Sequence, residues 1–290
     1  MLTGDRGLVG RWLRRRLRAS GVRVIGFDVL DGSDVTDLAA VRRAASQATV
    51  TVHCAVVPLG WSESHAEMMR VNAEGTETVL RAAEEAGHSR VIAFSSAQVF
   101  GVFDGERAPE AFPIRDSSPR LAEGAYGASK VAMEDRCEAF TARTGIPTVC
   151  PRPVHIWVPG QAADVRRRWL RNPRNEFGPH WNFGAFVDIR DVVDATLRAL
   201  TVRIGGHSRM ILCAPDAAAS TSSLEMVERF FPAVPLERGW PPSAHASPAL
   251  FDSGTARDVL GWQARHTWAE LSRESWAARA YRRLREPFPP

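Results

Sequence analysis

Short apolar runs alternate with longer amphipathic stretches along most of the chain, and this alternation limits the possible fold more than any other feature. Apolar runs of strand length occur at residues 21–28, 50–57, 90–95 and 148–151. Apolar residues at helical spacing mark residues 66–86, which Gly87 follows, and residues 124–144, which Gly-Ile-Pro follows. Strands that alternate with helices predict an α/β fold, a doubly wound parallel sheet of the Rossmann type.

The regular pattern weakens after residue 153. Residues 159–186 are polar and rich in Arg and Trp, so we expect them to be irregular. Residues 187–200 again have the spacing of a helix, and residues 209–214 form a further apolar run of strand length. The chain after this run contains many Pro and Trp residues, which is typical of a small separate lobe rather than of a repeated strand-helix unit.

These patterns predict two parts of the chain with different functions. We expect residues 1–155 to form a dinucleotide-binding Rossmann core, which residues 186–215 complete. We expect residues 156–290 to form mainly a small C-terminal substrate-binding lobe. A chain of 290 residues is long enough to bury the core that such an arrangement requires.

Composition favours a cytoplasmic protein that binds neither nucleic acid nor membranes. The net charge is only +4, and the densest basic run, residues 11–18, has the apolar spacing of an amphipathic helix with a solvated basic face. The sequence has no signal peptide and no run of 18 apolar residues. The four cysteines lack the spacing of metal ligands, so we expect no metal site and free thiols in a reducing compartment.

A glycine-rich segment, TGDRGLVG at residues 3–10, precedes the first predicted helix. Its glycines allow a tight turn and a close approach of the backbone to a pyrophosphate at the positive end of that helix. Asp28 ends the next apolar run, where a carboxylate can accept both hydroxyls of an adenosine ribose and repels a 2′-phosphate. Loop and carboxylate together predict NAD as the cofactor, while the Arg residues of the following helix leave NADP possible.

The strand that feeds the glycine-rich segment is short. Only Met1 and Leu2 precede Thr3, whereas strands commonly have about five or six residues. We therefore expect either an unusually short first strand at the centre of the sheet or a natural start upstream of Met1.

Lys130 is the only lysine among the 37 Lys and Arg residues, and it lies four residues after Tyr126, one of two tyrosines. A lysine retained where every other basic residue is arginine indicates a site that needs a compact ammonium. On a helix the two side chains share a face. We expect the ammonium to lower the pKa of Tyr126 towards neutrality, as a proton-transferring tyrosine requires. The alternative is an ordinary exposed Tyr-Lys pair.

Further short motifs occur in a characteristic order along the chain. They are HCA at residues 53–55, NAEGT at 72–76, SSAQVFG at 95–101, YGASK at 126–130, RP at 152–153, FVDIRDV at 186–192 and FDSGTARDVLGW at 251–262. Together with the glycine-rich segment, these motifs resemble the extended short-chain dehydrogenase/reductase family, the NAD-dependent epimerase/dehydratase group. The resemblance covers most of the chain, and the order of the motifs is more specific than any one of them.

The resemblance implies a catalytic set of three side chains. Ser96 would orient the substrate oxygen, Tyr126 would be the general acid and base, and Lys130 would hold the nicotinamide ribose. The positions implied to line the dinucleotide are Gly4, Gly7, Leu8, Val9, Gly10, Asp28, Asp34, Val35, Cys54, Ala55, Val56, Asn72, Tyr126, Lys130 and Pro153.

The resemblance also implies a homodimer. The helix that contains Asn72 and the helix that carries Tyr126 would pair across a two-fold axis. The apolar residues expected to face outward for this contact are Met68, Val79, Val131 and Met133.

Two departures from the family pattern restrict the chemistry. Dehydratases of this group have an Asp-Glu pair after the catalytic Ser or Thr, and here Ala97 and Gln98, which cannot exchange protons, occupy those positions. Residues 161–185 are shorter than the nucleotide-binding insert of nucleotide-sugar enzymes, so we expect a substrate without a nucleotide. Candidate substrate-contacting residues are Gln98, His155, Trp157 and Trp181, although each Trp is equally well explained as core.

The sequence thus predicts an NAD(P)-dependent oxidoreductase that transfers hydride between the nicotinamide and a carbonyl or alcohol of a small molecule. One alternative is a 4-epimerase acting on a sugar or nucleotide sugar, which uses the same three side chains. An alternative of another class is a catalytically silent dinucleotide-binding regulatory protein, because fold does not determine function. The retained Ser96, Tyr126 and Lys130 argue against this last possibility.

Overall fold

A computed structural model of the chain describes residues 1–62, 64–103, 107–173, 182–241, 243 and 246–273. These residues form two compact units. The first comprises the described residues of 1–106, 119–152 and 193–210, and the second comprises the described residues of 107–118, 153–192 and 211–273. The assignment of the second unit to substrate binding stays a prediction.

Eight strands are described. They are β1 (Leu2–Thr3), β2 (Gly26–Phe27), β3 (Thr51–His53), β4 (Val91–Ala93), β5 (Thr148–Pro153), β6 (His155–Trp157), β7 (Phe186–Asp188) and β8 (His207–Leu212). The main sheet has the order β2-β1-β3-β4-β5-β8, and β6 pairs with β7 in a separate parallel ladder. The pairs β1–β2, β1–β3, β3–β4 and β4–β5 are all parallel. The predicted Rossmann-type fold is confirmed.

Ten α-helices are described, of which seven lie between strands and three follow β8. They are α1 (Leu8–Ala19), α2 (Leu38–Ala45), α3 (His65–Met68), α4 (Gly75–Glu85), α5 (Ala125–Thr144), α6 (Gln161–Arg171), α7 (Ile189–Thr201), α8 (Ser223–Phe230), α9 (Gly254–Leu260) and α10 (Trp268–Leu271). A π-helical turn, Met69–Glu74, joins α3 to α4, so the predicted helix over residues 66–86 is continuous but not uniform. Among the described ranges, no helix has both the length and the apolar character needed to cross a membrane.

Helix α5 shows how local sequence sets the ends of an element. It begins after Gly124 and ends at Gly145, whose φ of 73° is a left-handed conformation that glycine adopts readily. The predicted helix over residues 124–144 is therefore confirmed. Its first half is buried on several sides, which fits a helix that packs deep against the sheet.

The expectation of irregular structure over residues 159–186 is wrong for its first part, because α6 covers eleven of these residues. Ala162, Val165 and Trp169 of α6 pack in a core cluster of the second unit, whereas Leu170 is exposed. The Arg residues that suggested a loop lie on its polar side, and Arg167 pairs with Asp164 one turn earlier. An amphipathic helix tolerates such a polar face once its other face is covered.

The residues expected to form a dimer surface are mostly internal. Met68, Val79 and Met133 are at most 2% exposed, and Val131 is half-buried. Val79 belongs to a core cluster with α2, and Met133 packs with residues of α4, β4 and β5. The selection of Met68, Val79 and Met133 as outward-facing residues is therefore wrong, and the homodimer stays a prediction.

The four cysteines are free thiols. Cys137, Cys150 and Cys213 are buried and Cys54 is partly exposed, so three of them act as small core residues.

A buried hydrogen-bond relay joins β1, β3 and α4 through His53. Thr76 Oγ1 donates to the Asn72 carbonyl at 2.6 Å and must therefore accept its other hydrogen bond, at 3.0 Å, from His53 Nε2–H. His53 Nδ1 then accepts from the Thr3 hydroxyl at 2.6 Å, and Thr3 Oγ1 accepts the Ala55 N–H at 3.2 Å. The relay assigns the neutral Nε2–H tautomer. Burial, together with the charge of nearby Lys130, lowers the pKa of His53 to about 3.

We expect His53→Gln to remove one source of the pH dependence of the free energy of unfolding. Between pH 6.5 and pH 3 the unfolded chain binds a proton at His53 that the folded chain does not, so the free energy of unfolding falls as the pH decreases. Denaturant unfolding measures the free energy of unfolding at each pH. When the pH is lowered from 6.5 to 4, wild type should lose about 3 kcal/mol more of this free energy than the variant does. His65→Gln, on the exposed start of α3, is the matched control. A difference that stays constant with pH would contradict the assignment of a neutral His53.

Candidate functional site

The glycine-rich segment connects β1 to α1 at the point where the sheet order changes direction. The chain continues from β1 to β2 on one side and then crosses to β3 on the other. In open α/β sheets the carboxyl ends of the strands at such a switch point form the usual ligand crevice. The ends of β1 and β3 meet here, because Cys54 N–H donates to the Thr3 carbonyl at 3.1 Å.

Close backbone approach explains the glycines of this segment. Gly4 has a φ of 63°, and a Cβ at this position would lie 2.6 Å from the Ala55 nitrogen. A Cβ on Gly10 would lie 2.0 Å from the Gly4 carbonyl oxygen, and Gly7 donates its N–H to that same oxygen at 3.0 Å. We call the backbone from Gly4 to Gly10, at the N-terminus of α1, the glycine-rich cradle. Side chains at Gly4 or Gly10 would clash with nearby backbone atoms, and a backbone without them is the kind that binds the pyrophosphate of a dinucleotide.

The first turn of α1 supplies the positive end of this cradle. Leu8, Val9 and Gly10 are its first residues, and within the described chain no side chain caps it and no acidic residue lies in it. An anion at this position would meet unshared backbone N–H groups and the favourable end of the helix dipole.

Asp28 follows β2 and is already engaged with the backbone. Its Oδ2 accepts the Arg6 N–H at 2.9 Å, and its Oδ1 accepts the Leu30 N–H at 3.0 Å. The carboxylate therefore orders the glycine-rich segment, and each oxygen keeps a lone pair for a ribose hydroxyl. The guanidinium of Arg6 pairs with Asp31 at 2.8 Å, so a carboxylate already engages it.

Asn72 holds the segment that follows β3. Its Oδ1 accepts the Val57 N–H at 2.8 Å, and its Nδ2 donates to the Val57 carbonyl at 3.2 Å and to Ser129 Oγ at 3.0 Å. Ser129 Oγ in turn donates to the Tyr126 carbonyl at 2.7 Å. The predicted dinucleotide-lining residues Cys54, Ala55 and Val56 thus lie on a backbone stretch that is tied to α5.

Asp34 and Val35 lie between β2 and α2. Asp34 Oδ1 accepts the Thr36 N–H at 2.9 Å, and its side chain is exposed beside Arg70. Val35 is buried, and a Cβ on Gly75 would lie 2.8 Å from it. The Gly of the NAEGT motif therefore provides room for Val35. Pro153, the last predicted lining residue, ends β5 within the second unit.

Ser96, Tyr126 and Lys130 come together at the end of β4. Ser96 caps a short 3₁₀ turn, Ala97–Phe100, with its Oγ accepting the Gln98 N–H at 3.2 Å, and it is hydrogen-bonded to the side chain of Tyr126. The Lys130 ammonium lies 5.8 Å from the centroid of the Tyr126 ring and donates to the Phe94 carbonyl at 2.7 Å. The structure thus brings these three side chains together, and the catalytic roles expected of them stay a prediction.

The electrostatics of the pair differ from expectation. Burial raises the pKa of Tyr126 to about 12, and the hydrogen bond from Ser96 opposes this rise only in part. Burial also lowers the pKa of Lys130 to about 8. The expectation that Lys130 brings the pKa of Tyr126 towards neutrality is therefore wrong, because burial of the hydroxyl disfavours the phenolate and raises the pKa instead.

Gly127 is a site residue that the motif analysis did not single out. A Cβ at this position would lie 2.7 Å from the Gln98 carbonyl oxygen and 2.6 Å from the Ala122 side chain. The absence of a side chain lets the first turn of α5 approach the turn that Ser96 caps. The sequence shows a Gly directly after Tyr126. Why a Gly is needed there becomes clear only from the loop that packs against it, which contains Gln98 and Ala122.

The candidate substrate residues lie in different surroundings. Gln98 is partly exposed beside Ser96, and His155 is exposed at the start of β6. Trp157 is buried in the second unit, where it stacks on Phe186 with ring centroids 4.5 Å apart. This packing favours the structural interpretation of Trp157. Trp181 lies outside the described residues.

Comparison with known proteins gives the class of the chain. The model of the "NAD dependent epimerase/dehydratase family" matches residues 1–214. A short-chain dehydrogenase/reductase superfamily protein from Agrobacterium tumefaciens, solved with bound NAD, has a TM-score of 0.72 at 21% identity, with 98% of each chain covered, which shows a shared fold.

Two curated relatives match over a smaller part of their own length. A UDP-glucose 4-epimerase from Azospirillum brasilense is 27% identical over 227 residues, which cover 68% of this chain and 62% of that protein. A 3beta-hydroxysteroid-dehydrogenase/decarboxylase isoform 2 from Arabidopsis thaliana is 31% identical over 150 residues, which cover 50% of this chain and 24% of that protein. The chain thus spans less than two thirds of the length of either relative.

The chain belongs to the NAD dependent epimerase/dehydratase family. The resemblance to extended short-chain dehydrogenases/reductases, the prediction of an NAD-dependent enzyme and the choice of NAD as cofactor are confirmed at the level of this family.

We expect the protein to bind NAD more tightly than NADP, because Asp28 repels a 2′-phosphate. Asp28→Asn should raise the affinity for NADP relative to NAD by about tenfold, since one like charge is removed. Isothermal titration with both dinucleotides measures this ratio, and Asp258→Asn, an exposed carboxylate on α9, is the control for the loss of one negative charge. Wild-type protein that binds NADP as tightly as NAD would show that the Arg residues around the loop outweigh Asp28.

Proposed function

We propose that the protein is an NAD-dependent oxidoreductase that transfers hydride at a secondary alcohol or carbonyl carbon of a small molecule, with Tyr126 as general acid and base. The observation that carries this proposal is the hydrogen bond between Ser96 and Tyr126 with the ammonium of the only lysine beside the ring. Membership in the NAD dependent epimerase/dehydratase family supports it.

Each side chain has a separate task in this proposal. Ser96 Oγ and the Tyr126 hydroxyl both hydrogen-bond the substrate oxygen and hold it in one place. In the reducing direction Tyr126 donates its proton to that oxygen, and its pKa of about 12 keeps the proton available at neutral pH. In the oxidising direction the phenolate accepts the proton, and the charge of Lys130 stabilises that phenolate.

The residues that would hold NAD are those of the glycine-rich cradle at the pyrophosphate, Asp28 at the adenosine ribose and Lys130 at the nicotinamide ribose. NAD supplies the hydride acceptor and donor, and the chain supplies orientation and the proton. Dehydration is not part of the proposal, because Ala97 and Gln98 follow Ser96 and neither can exchange a proton.

A 4-epimerase is the second candidate, because the relative from Azospirillum brasilense is a UDP-glucose 4-epimerase. The same three side chains serve both reactions. They differ in that an epimerase returns the hydride to the same substrate, so no NADH accumulates, whereas an oxidoreductase produces or consumes NADH in proportion to product.

We further propose that the substrate carries no nucleotide. The first eleven residues of the segment 161–185 form α6, and the apolar side of α6 is used in the core of the second unit rather than left for a base. We also keep as proposals a cytoplasmic location and a homodimer, the latter through a surface other than the buried Met68, Val79 and Met133.

A substrate panel tests the proposed function. UDP- and dTDP-sugars are compared with free sugar acids, aldehydes and aromatic ketones, with NADH absorbance and product NMR as readouts. We expect a change in NADH with a substrate that lacks a nucleotide. Epimerisation of a nucleotide sugar without net NADH, or inhibition by micromolar UDP, would support the epimerase instead, and NAD binding without turnover of any class would support a regulatory protein.

Lys130→Arg should lower turnover by about 10²–10⁴-fold although the charge is kept. Lys130 is 3% exposed, and its ammonium lies 2.7 Å from the Phe94 carbonyl oxygen and 3.9 Å from Met133 Sδ, so a larger, planar guanidinium would have to displace buried neighbours. Arg143→Lys, an exposed change on the same helix, is the control and should leave turnover unchanged. Turnover of Lys130→Arg within a few-fold of wild type, measured at saturating NAD, would remove the role proposed for Lys130.

A further inference from the structure

Three consecutive residues at the end of β4 each contact helix α5. The contacts, two of them measured at 2.7 Å, join Phe94 to Lys130, Ser95 to Glu134 and Ser96 to Tyr126. The three partners on α5 are spaced four residues apart, so they form one face of the helix. We call this set the β4–α5 ladder. Two of its three contacts involve the proposed catalytic side chains, and the third does not.

Glu134 is the best anchored member of the ladder. Its two oxygens accept from Arg152 Nε and Nη2, both at 2.8 Å, and the side chains of Glu134 and Arg152 are fully buried. Arg152 lies on β5, and its guanidinium is 5.1 Å from the centroid of the Phe100 ring. Burial alone would raise the pKa of Glu134, but hydrogen bonding and charge from Arg152 hold it below its usual value, so the group is ionised.

Ser95 connects Glu134 to the strand end that contacts Lys130 and Tyr126. Its hydroxyl donates to Glu134 Oε1 at 2.7 Å, and its N–H donates to the Pro151 carbonyl at 2.8 Å. Ser95 is the residue between the carbonyl that holds Lys130 and the serine that holds Tyr126. A sliding or rolling movement of α5 against β4 would therefore change all three contacts together.

We propose that Glu134 and Ser95 are positioning residues that set the register of α5 against the end of β4 and thereby hold Tyr126 and Lys130 at Ser96. This inference rests on the proposed function, in which these three side chains act on the substrate. Displacements of about 1 Å in a reacting group can reduce rates by about 10²-fold, so a hydrogen bond outside the site can control the rate without contacting the substrate.

A contact of the same kind on the same helix provides a control. Thr141 Oγ1 and Thr148 Oγ1 are 2.7 Å apart and buried, and they join α5 to β5 more than two turns beyond Lys130. Thr141→Val removes a buried hydroxyl contact between α5 and the sheet, as Ser95→Ala does, but it leaves the β4–α5 ladder intact. A general loss of packing would affect both variants alike.

The first measurement is steady-state kinetics of the full-length protein. Ser95→Ala should lower kcat about tenfold or more, with KM and the Kd of NAD within about twofold of wild type. Ser95→Thr, which keeps the hydroxyl, should recover most of kcat, and Thr141→Val should keep the wild-type value. If Ser95→Ala does not fold, Ser95→Cys keeps the volume without a strong donor. Equal losses of kcat in Ser95→Ala and Thr141→Val, or none in Ser95→Ala, would overturn the proposal.

The second measurement needs no substrate. Because the chain has one lysine, protein labelled with ¹³C-lysine gives a single ε-methylene signal from Lys130. Its chemical shift and titration midpoint should move in Ser95→Ala and stay unchanged in Thr141→Val. Wild type without turnover would refute the proposed function, whereas an unchanged Lys130 signal in Ser95→Ala would refute the positioning role, so the two failures are distinguishable.

Discussion

The buried ion pair between Glu134 and Arg152 is the interaction on which the arrangement of the site depends. It joins α5 to β5, and through the Ser95 hydroxyl it also reaches β4. Such a pair adds little net stability, because desolvation offsets the attraction of the charges, but removal of one partner leaves a buried charge that costs about 3–5 kcal/mol. Two further arginines, Arg120 and Arg209, lie 3.4 and 3.3 Å from Glu134 Oε2, so the carboxylate is the common partner of side chains from three parts of the chain.

A second polar system holds the other side of the site. The relay from Thr3 through His53 and Thr76 reaches Asn72, whose side chain fixes Val57 and contacts Ser129 on α5. Neutral hydrogen bonds thus tie the glycine-rich cradle to α5 on one side of the site, and the ion pair of Glu134 with Arg152 holds the same helix on the other side. Buried polar groups that are fully paired in this way favour one arrangement of the core.

Most of the fold could be predicted because it follows from local patterns. The limits of α5 follow from Gly124 and Gly145, and the cradle follows from the spacing of its glycines. The errors share a physical cause, which is that a pattern shows an apolar or charged face without showing what covers it. Met68, Val79 and Met133 form such a face and are covered by their own chain, and the Arg-rich residues 161–171 form a helix because their apolar side is covered. The pKa of Tyr126 was misjudged for the same reason, since burial is a property of the surroundings.

Sequence alone determined which residue types occur at each strand end and on each helix face, because helical and strand periodicities act over a few residues. Helical spacing placed Tyr126 and Lys130 on one face, and the resemblance carried by the order of the motifs added Ser96 to the same candidate site. Only the tertiary structure decided that Ser95 meets Glu134 and that Glu134 meets Arg152, residues 39 and 18 positions apart. Contacts at such separations depend on the order of strands in the sheet and on how closely α5 approaches it, and neither is encoded in a local pattern.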